Sequence, residues 1–146
     1  MENFLLIRLK ETLQNAERSW PLGPETRRNV VKEELQYYVL NFICHHSEYS
    51  GWIMYGGTAL KICHGLNRMS VDLDFEMKNS CTDDFLVNLQ KEMETYFYDT
   101  YAIGKEFLGI KITSGRGLTL KFLIGDALGL GLASKHVHLT IDLNHF

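Results

Sequence analysis

The sequence predicts an α+β fold, in which a mixed β-sheet packs against helices mainly on one side. Apolar residues recur at helical spacing near the N-terminus, after residue 24 and again after residue 82. Several other segments alternate apolar with polar residues or form short apolar runs, as β-strands do. Along the chain these segments give the order α-α-β-α-β-α-β-β-β, and this grouping of helices and strands indicates an α+β fold.

Two helices are expected in the first fifty residues. The first is indicated by leucines that recur at helical spacing from Leu5 to Leu13. The segment WPLGP breaks this pattern, and Pro24 suits the first position of a second helix, which we expect to end between residues 47 and 50. The apolar stripe of this helix consists of Val31, Leu35, Tyr38, Val39, Phe42 and Ile43. The residues largely off the stripe are Arg27, Lys32, Glu33 and Gln36.

The remaining elements are mostly strands. GWIMY is predicted to be a short buried strand, after which two glycines turn the chain into a short helix, TALKICHG. SVDLDFEM alternates as a second strand does. Thr82, followed by Asp83 and Asp84, is a favourable helix start, because acidic residues stabilise the positive end of the helix dipole. FLGIKIT and LTLKFLI are predicted to form a hairpin through the turn SGRG, and HVHLTIDL is the final strand.

Composition and charge limit the function classes. Of the 146 residues, 45% are hydrophobic and 23% are charged, which is typical of a globular domain. The net charge of −3 argues against a protein that coats nucleic acid non-specifically, although a small basic groove remains compatible with it. Three widely spaced cysteines without a CxxC pair favour reduced thiols over a disulfide framework. Since no signal peptide or membrane-spanning apolar run is visible, we expect a cytoplasmic protein without a membrane partner.

The segment VDLDF places two carboxylates on one face of a strand. Successive side chains point to opposite faces, so Asp72 and Asp74 share one face, and Val71, Leu73 and Phe75 share the other. Two like charges roughly 7 Å apart at their backbones repel each other unless a cation lies between them. Mg²⁺ typically binds one or two carboxylates together with substrate phosphates. The alternative is a half-exposed strand that is acidic without binding a metal.

The glycine pair before this strand is a candidate phosphate site. Gly56 and Gly57 lie between an apolar strand and a helix that begins near Thr58. Glycine lets the backbone approach a ligand closely, and a helix N-terminus offers unpaired N–H groups to phosphate. The GxxxxGK[ST] spacing of a P-loop and the GxGxxG fingerprint are both absent here. The alternative is a tight turn without a ligand.

A third acidic residue occurs in the last predicted strand. In HVHLTIDL the polar residues His136, His138, Thr140 and Asp142 alternate with apolar ones and so share one face. If this strand neighbours VDLDF, Asp142 comes within reach of Asp72 and Asp74. Three carboxylates beside a phosphate-binding turn are what two-metal phosphoryl transfer requires.

The segment GGTALKICHGLNRMSVDLDF resembles the signature of the polymerase-beta-like nucleotidyltransferases, in particular the abortive-infection toxins of the AbiEii/AbiGii type. In that family a GGTAL turn and an R-x-S-x-D-[LI]-D strand form the nucleotide and metal site. The resemblance implies that Asp72, Asp74 and Asp142 bind metal and are catalytic, with Asp142 matched only by its place in a later strand. The residues that it implies in nucleotide binding are Gly56, Gly57, Thr58, Arg68 and Ser70.

The resemblance also implies an activity and partners. It suggests that two Mg²⁺ ions support the transfer of a nucleoside monophosphate from an NTP substrate to a hydroxyl of an acceptor RNA or protein. The protein would be the toxin of a bacterial toxin–antitoxin pair, with a cognate antitoxin as partner. Residues 1–146 would form a single nucleotidyltransferase-like domain, either alone or as the N-terminal part of a longer protein, since relatives usually continue into a helical region.

Two alternatives remain open. The chain could be a non-catalytic or truncated nucleotidyltransferase-fold module that acts by binding a partner. A glycosyltransferase of the DxD type, which uses a sugar nucleotide, fits the aspartates but leaves the GGTAL segment unexplained.

Overall fold

A computed structural model describes residues 3–55, 72–130 and 135–145 of the protein. The described helices are α1 (Phe4–Ala16), α2 (Pro24–His45) and α3 (Asp83–Tyr101), with a single 3₁₀ turn at Tyr49–Gly51. The strands are β1 (Ile53–Tyr55), β2 (Leu73–Met77), β3 (Leu108–Thr113), β4 (Gly117–Leu123) and β5 (His136–His145).

The five strands form one mixed sheet in the order β1-β2-β5-β4-β3. β2 and β5 pair in parallel, whereas the other three neighbouring pairs are antiparallel. β3 and β4 form the predicted hairpin, whose turn includes Gly115 at a φ of 72°, a conformation that glycine adopts without strain. The structure confirms the predicted α+β class with a mixed sheet.

Alternation along the strands separates an apolar face from a polar one. In β2, Leu73, Phe75 and Met77 are at most 2% exposed, while the aspartate and glutamate between them are half-buried. The apolar residues of β2, β4 and β5 join buried residues of all three helices in one core cluster. Burial of this apolar face fixes the register, because a shift by one residue would turn the acidic side chains into the core.

Local capping explains where the helices begin. The Thr82 hydroxyl accepts a hydrogen bond from the backbone N–H of Phe85 at 3.2 Å, which confirms the predicted start of α3. The Asn3 side chain caps α1 in the same way, accepting from the N–H of Leu6 at 3.1 Å. In α2, Pro24 occupies the first turn, where its missing N–H costs nothing.

Two sequence predictions about α2 and β1 were wrong in detail, and Gln36, a residue off the predicted stripe, is buried. α2 ends at His45, earlier than expected, because the His46 ring accepts the backbone N–H groups of Glu48 and Tyr49 and starts the 3₁₀ turn. Gln36 is only 3% exposed, since α2 packs against both α1 and β5 and so buries a wide surface. β1 is an edge strand rather than a buried one.

Two further expectations concern the segment after β1 and the membrane. The predicted short helix TALKICHG lies outside the described residues. None of the helices in the described ranges combines the length and the apolar character needed to cross a membrane.

Candidate functional site

Asp74 and Asp142 lie side by side on neighbouring strands. β2 and β5 pair in parallel, and their register sets Asp74 directly opposite Asp142. Paired strands are about 4.8 Å apart, so the two side chains leave the sheet close together. Both point to the polar face, since the residues that flank them are in the core: Leu73, Phe75, Ile141 and Leu143.

The surroundings of Asp74 disfavour its charged form. Burial raises the pKa of the Asp74 carboxyl above its ordinary value, and the carboxylates of Asp142 and Asp72 raise it further. All three predicted acidic residues are therefore within electrostatic reach of one another. A cation bound among them would act in the opposite direction and favour the ionised carboxylate.

Asp72 lies directly before β2 and shares a cavity with Asp142. This cavity has a volume of about 240 Å³, smaller than the roughly 300–1,000 Å³ of typical ligand pockets. Larger cavities of about 440 and 590 Å³ elsewhere in the described structure contain none of the predicted site residues. The 240 Å³ cavity is lined by Asp72, Thr113, Arg116, Gly117, Leu118, Thr140, Ile141 and Asp142.

Gly117 occupies the position opposite Asp142 on the other side of β5. A Cβ atom built at Gly117 would collide with the backbone carbonyl of Ile141, so the close approach of β4 and β5 here depends on glycine. The approach is also seen in the 2.6 Å hydrogen bond from the N–H of Leu143 to the carbonyl of Arg116. Gly117 and Asp142 line the same 240 Å³ cavity.

Two cationic side chains lie near the acids. Nη2 of Arg116 lies 3.9 Å from Oδ1 of Asp142, and the arginine side chain is 72% exposed. Burial lowers the pKa of Lys32, the Asp72 carboxylate opposes this shift, and Arg28 adds to the lowering. Arg116 of the hairpin turn therefore offers positive charge at the cavity, and Lys32 of α2 lies within electrostatic reach of Asp72.

An aromatic side chain extends across the same face. Tyr55, the last residue of β1, is opposite Asp74, and its hydroxyl accepts a hydrogen bond from Nδ2 of Asn144 in β5. Asn144 in turn is opposite Glu76 of β2. The contact thus spans β2, which lies between β1 and β5.

The donor set suits a hard cation that takes further ligands from a substrate. Within the described residues, no group of three or more His, Cys, Asp or Glu side chains is arranged so that it could hold a metal ion. The Asp74–Asp142 pair still matches the one or two carboxylates with which Mg²⁺ is usually held beside substrate phosphates.

The structure describes only part of the predicted site. It brings Asp74 and Asp142 together and sets Asp72 beside the same cavity as Asp142. The predicted nucleotide-binding residues lie outside the described residues: Gly56, Gly57, Thr58, Arg68 and Ser70.

Sequence reasoning missed several neighbours of the acids. Lys32 is far from Asp72 along the chain. The helical pattern places Lys32 off the apolar stripe of α2, but it does not show which strand lies near that side of the helix. Arg116 and Gly117 belong to the SGRG segment, whose glycines predict a hairpin turn but give no signal for a contact with Asp142. The signal that could have found Tyr55 is its place directly before the glycine pair.

The family comparison agrees with this geometry. The family model described as "Nucleotidyl transferase AbiEii toxin, Type IV TA system" matches residues 40–145, a range that includes all five strands and α3. No curated protein and no solved structure matches the chain. Because the family model covers well over half of the sequence and contains both strands that carry the aspartates, the chain belongs to the AbiEii nucleotidyltransferase toxin family of type IV toxin–antitoxin systems.

Proposed function

We propose that this protein is a Mg²⁺-dependent nucleotidyltransferase that transfers a nucleoside monophosphate from an NTP to an acceptor hydroxyl. The observation that carries the proposal is the register of β2 and β5, which pairs Asp74 with Asp142 on the polar face. Bound Mg²⁺ would neutralise charge on the α-phosphate and on the pyrophosphate that leaves. Asp72, Asp74 and Asp142 are the residues proposed to hold it.

The reaction forms one bond and breaks another at the α-phosphorus. The acceptor oxygen bonds to the α-phosphorus, the bond from that phosphorus to the bridging oxygen of pyrophosphate breaks, and the hydroxyl proton leaves. We assign this proton to the Asp142 carboxylate, which lines the cavity that it shares with Asp72. Asp74, the other member of the acidic pair, is proposed to hold Mg²⁺ and not to accept the proton.

Positive groups on the chain would hold the negative substrate. Arg116 is exposed and lies at the cavity, so it can turn from Asp142 towards a triphosphate without breaking a buried contact. Lys32 provides a second charge near Asp72. The backbone of Gly56 and Gly57, with Thr58, Arg68 and Ser70, is proposed to bind the phosphates as the family resemblance implies.

The biological setting follows from the family. We propose that the protein acts in the cytoplasm as the toxin of a toxin–antitoxin pair, that its acceptor is an RNA or a protein, and that a cognate antitoxin restrains it.

Labelled nucleotides test the activity. The protein is incubated with Mg²⁺, a bacterial cell extract and each NTP in turn, labelled either at the α- or at the γ-phosphate. Nucleotidyl transfer labels a macromolecule from the α-label and not from the γ-label, because pyrophosphate carries the γ-phosphate away. Treatment of the product with ribonuclease or protease then identifies the acceptor class.

Matched variants connect the label to the site. Asp74→Asn should remove the labelling, while Asp99→Asn, an exposed aspartate of α3, should leave it unchanged. Labelling from the γ-phosphate alone would contradict nucleotidyl transfer. Absence of labelling with every NTP would favour the non-catalytic partner-binding module.

A further inference from the structure

We infer that Tyr55 is a positioning residue of the acidic site. Its ring directs the Asp74 carboxylate towards Asp142 of β5 and away from Glu76. This inference rests on the proposed function, since it concerns how the acidic pair is prepared for a cation. It concerns a side chain that neither the family description nor the acidic motif assigns.

The register locates the Tyr55 ring. Tyr55 in β1 is opposite Asp74, and Asn144 in β5 is opposite Glu76, the next residue on the same face of β2. β1 and β5 flank β2, so their backbones are roughly 10 Å apart, or two strand spacings of about 4.8 Å. Because the Tyr55 hydroxyl accepts a hydrogen bond from Asn144, the ring must lie diagonally across β2, between Asp74 and Glu76.

The ring therefore separates two acidic side chains that would otherwise face each other. Asp74 and Glu76 are about 7 Å apart at their backbones and point the same way. With the ring between them, the Asp74 carboxylate is directed towards Asp142, and Glu76 is kept on the far side. A site for one small cation needs this, because a competing carboxylate would draw the ion away from Asp142.

The hydrogen bond to Asn144 is what holds the ring in place. Tyr55 belongs to an edge strand and is 37% exposed, so packing alone does not fix its rotamer. A tyrosine hydroxyl accepts and donates at once. As Asn144 donates to it, the hydroxyl proton remains available for a carboxylate or a bound ligand on the same face.

Titration with Mn²⁺ alone tests the inference without catalysis. Mn²⁺ accepts the same oxygen ligands as Mg²⁺, and its unbound fraction is measured by electron paramagnetic resonance. Tyr55→Phe and Asn144→Ala should each weaken Mn²⁺ binding about three- to tenfold, because each variant loses the one hydrogen bond that holds the ring. The double variant should be no weaker than either single one. Tyr98→Phe, an exposed tyrosine of α3, is the matched control and should bind as the parent does.

A second arm addresses the separation of the acids. Glu76→Gln should change Mn²⁺ affinity less than about twofold in the parent, but more than about threefold in a Tyr55→Ala background, where no ring separates Glu76 from Asp74. A purely structural role of Tyr55 would change thermal stability without creating this dependence on Glu76. Circular dichroism of each variant verifies that the fold is kept.

The outcomes separate this inference from the proposed function. If the parent binds Mn²⁺, Asp74→Asn abolishes binding, and Tyr55→Phe and Asn144→Ala bind as the parent does, the positioning role is overturned and the proposed function stands. If the parent takes up no Mn²⁺, the inference fails, and the labelling experiment with α-labelled NTPs decides separately on the proposed function.

Discussion

Replacing Asp74 by asparagine should stabilise the protein in the absence of metal. Asparagine has nearly the same shape as aspartate but carries no charge, so the substitution removes the repulsion from Asp142 and Asp72 without leaving a cavity. It also removes the cost of keeping a partly buried carboxylate ionised. A residue retained for fold stability would show the opposite effect.

The expected gain is about 1 kcal/mol. Two unit charges at the strand spacing of about 4.8 Å repel each other by about 0.9 kcal/mol in water and by about 3.5 kcal/mol at an effective dielectric constant of 20. A value near the lower figure applies here, because Arg116 lies 3.9 Å from Asp142 and offsets part of its charge, although the Asp142 side chain is only 24% exposed. Salt should reduce the gain only partly, since the charges are closer than the Debye length of roughly 10 Å at 0.1 M.

The pH dependence follows from the raised pKa of Asp74. Its folded-state pKa lies above the ordinary value of 3.8, so between the two values the folded protein holds a proton that the unfolded chain has released. The parent therefore loses stability as the pH rises through this window, and Asp74→Asn does not. The gain should be near zero below pH 3.8 and complete at pH 7.

Urea denaturation of the parent, of Asp74→Asn and of the control Asp99→Asn measures these differences at several pH values. With Mg²⁺ at about 100 times its dissociation constant the order should reverse, because binding stabilises the parent by about 2.7 kcal/mol and the variant cannot bind. If Asp74→Asn lowers metal-free stability at pH 7, the carboxylate is satisfied by its surroundings and the reasoning about charge crowding is wrong.

Three further predictions concern the neighbours of the acids and the start of α3. Gly117→Ala should lower the free energy of unfolding, measured with urea, by more than about 2 kcal/mol, since the new Cβ would meet the Ile141 carbonyl, a backbone group that cannot rotate away. The control Gly115→Ala has open space around its Cβ but a φ of 72°, so it should lower the free energy of unfolding by only about 1 kcal/mol. Equal losses in the two variants would argue against the collision. Thr82→Ala should cost about 1 kcal/mol through loss of the N-cap, with Thr82→Ser as the restoring control. Arg116→Ala should change stability by less than about 0.5 kcal/mol, because its ion pair is exposed, while raising the KM for the NTP; a large loss of stability with an unchanged KM would assign it a structural role.

The faces of the strands could be predicted from sequence, whereas their neighbours in the sheet could not. Alternation alone sets Asp74 and Asp142 on polar faces, and the structure confirms this for both strands. Their adjacency depends on β5 lying beside β2, which alternation does not specify. Only the register of the folded sheet sets the two carboxylates in one row.

The features that the sequence did not predict are the edge position of β1 and the contacts between residues that are distant along the chain. The apolar residues of β1 predict a buried strand, yet Ile53 is 55% exposed, because β1 lies at the edge of the sheet. The sequence pattern of a strand does not show whether it lies at the edge of a sheet or inside it. Lys32 and Arg116 approach the acids from elements that are distant in sequence. Local propensity describes such residues one element at a time and cannot pair them.

The position of β5 determines when the sheet can be completed during synthesis of the protein. β5 is the last of the described strands along the chain, yet it lies in the middle of the sheet, between β2 and β4. Until β5 has left the ribosome, β1–β2 and the β3–β4 hairpin are two separate pieces with open edges, and Asp74 has no partner strand beside it. The carboxylate pair can form only when β5 joins the two pieces, so a nascent or partly folded chain would lack the proposed activity.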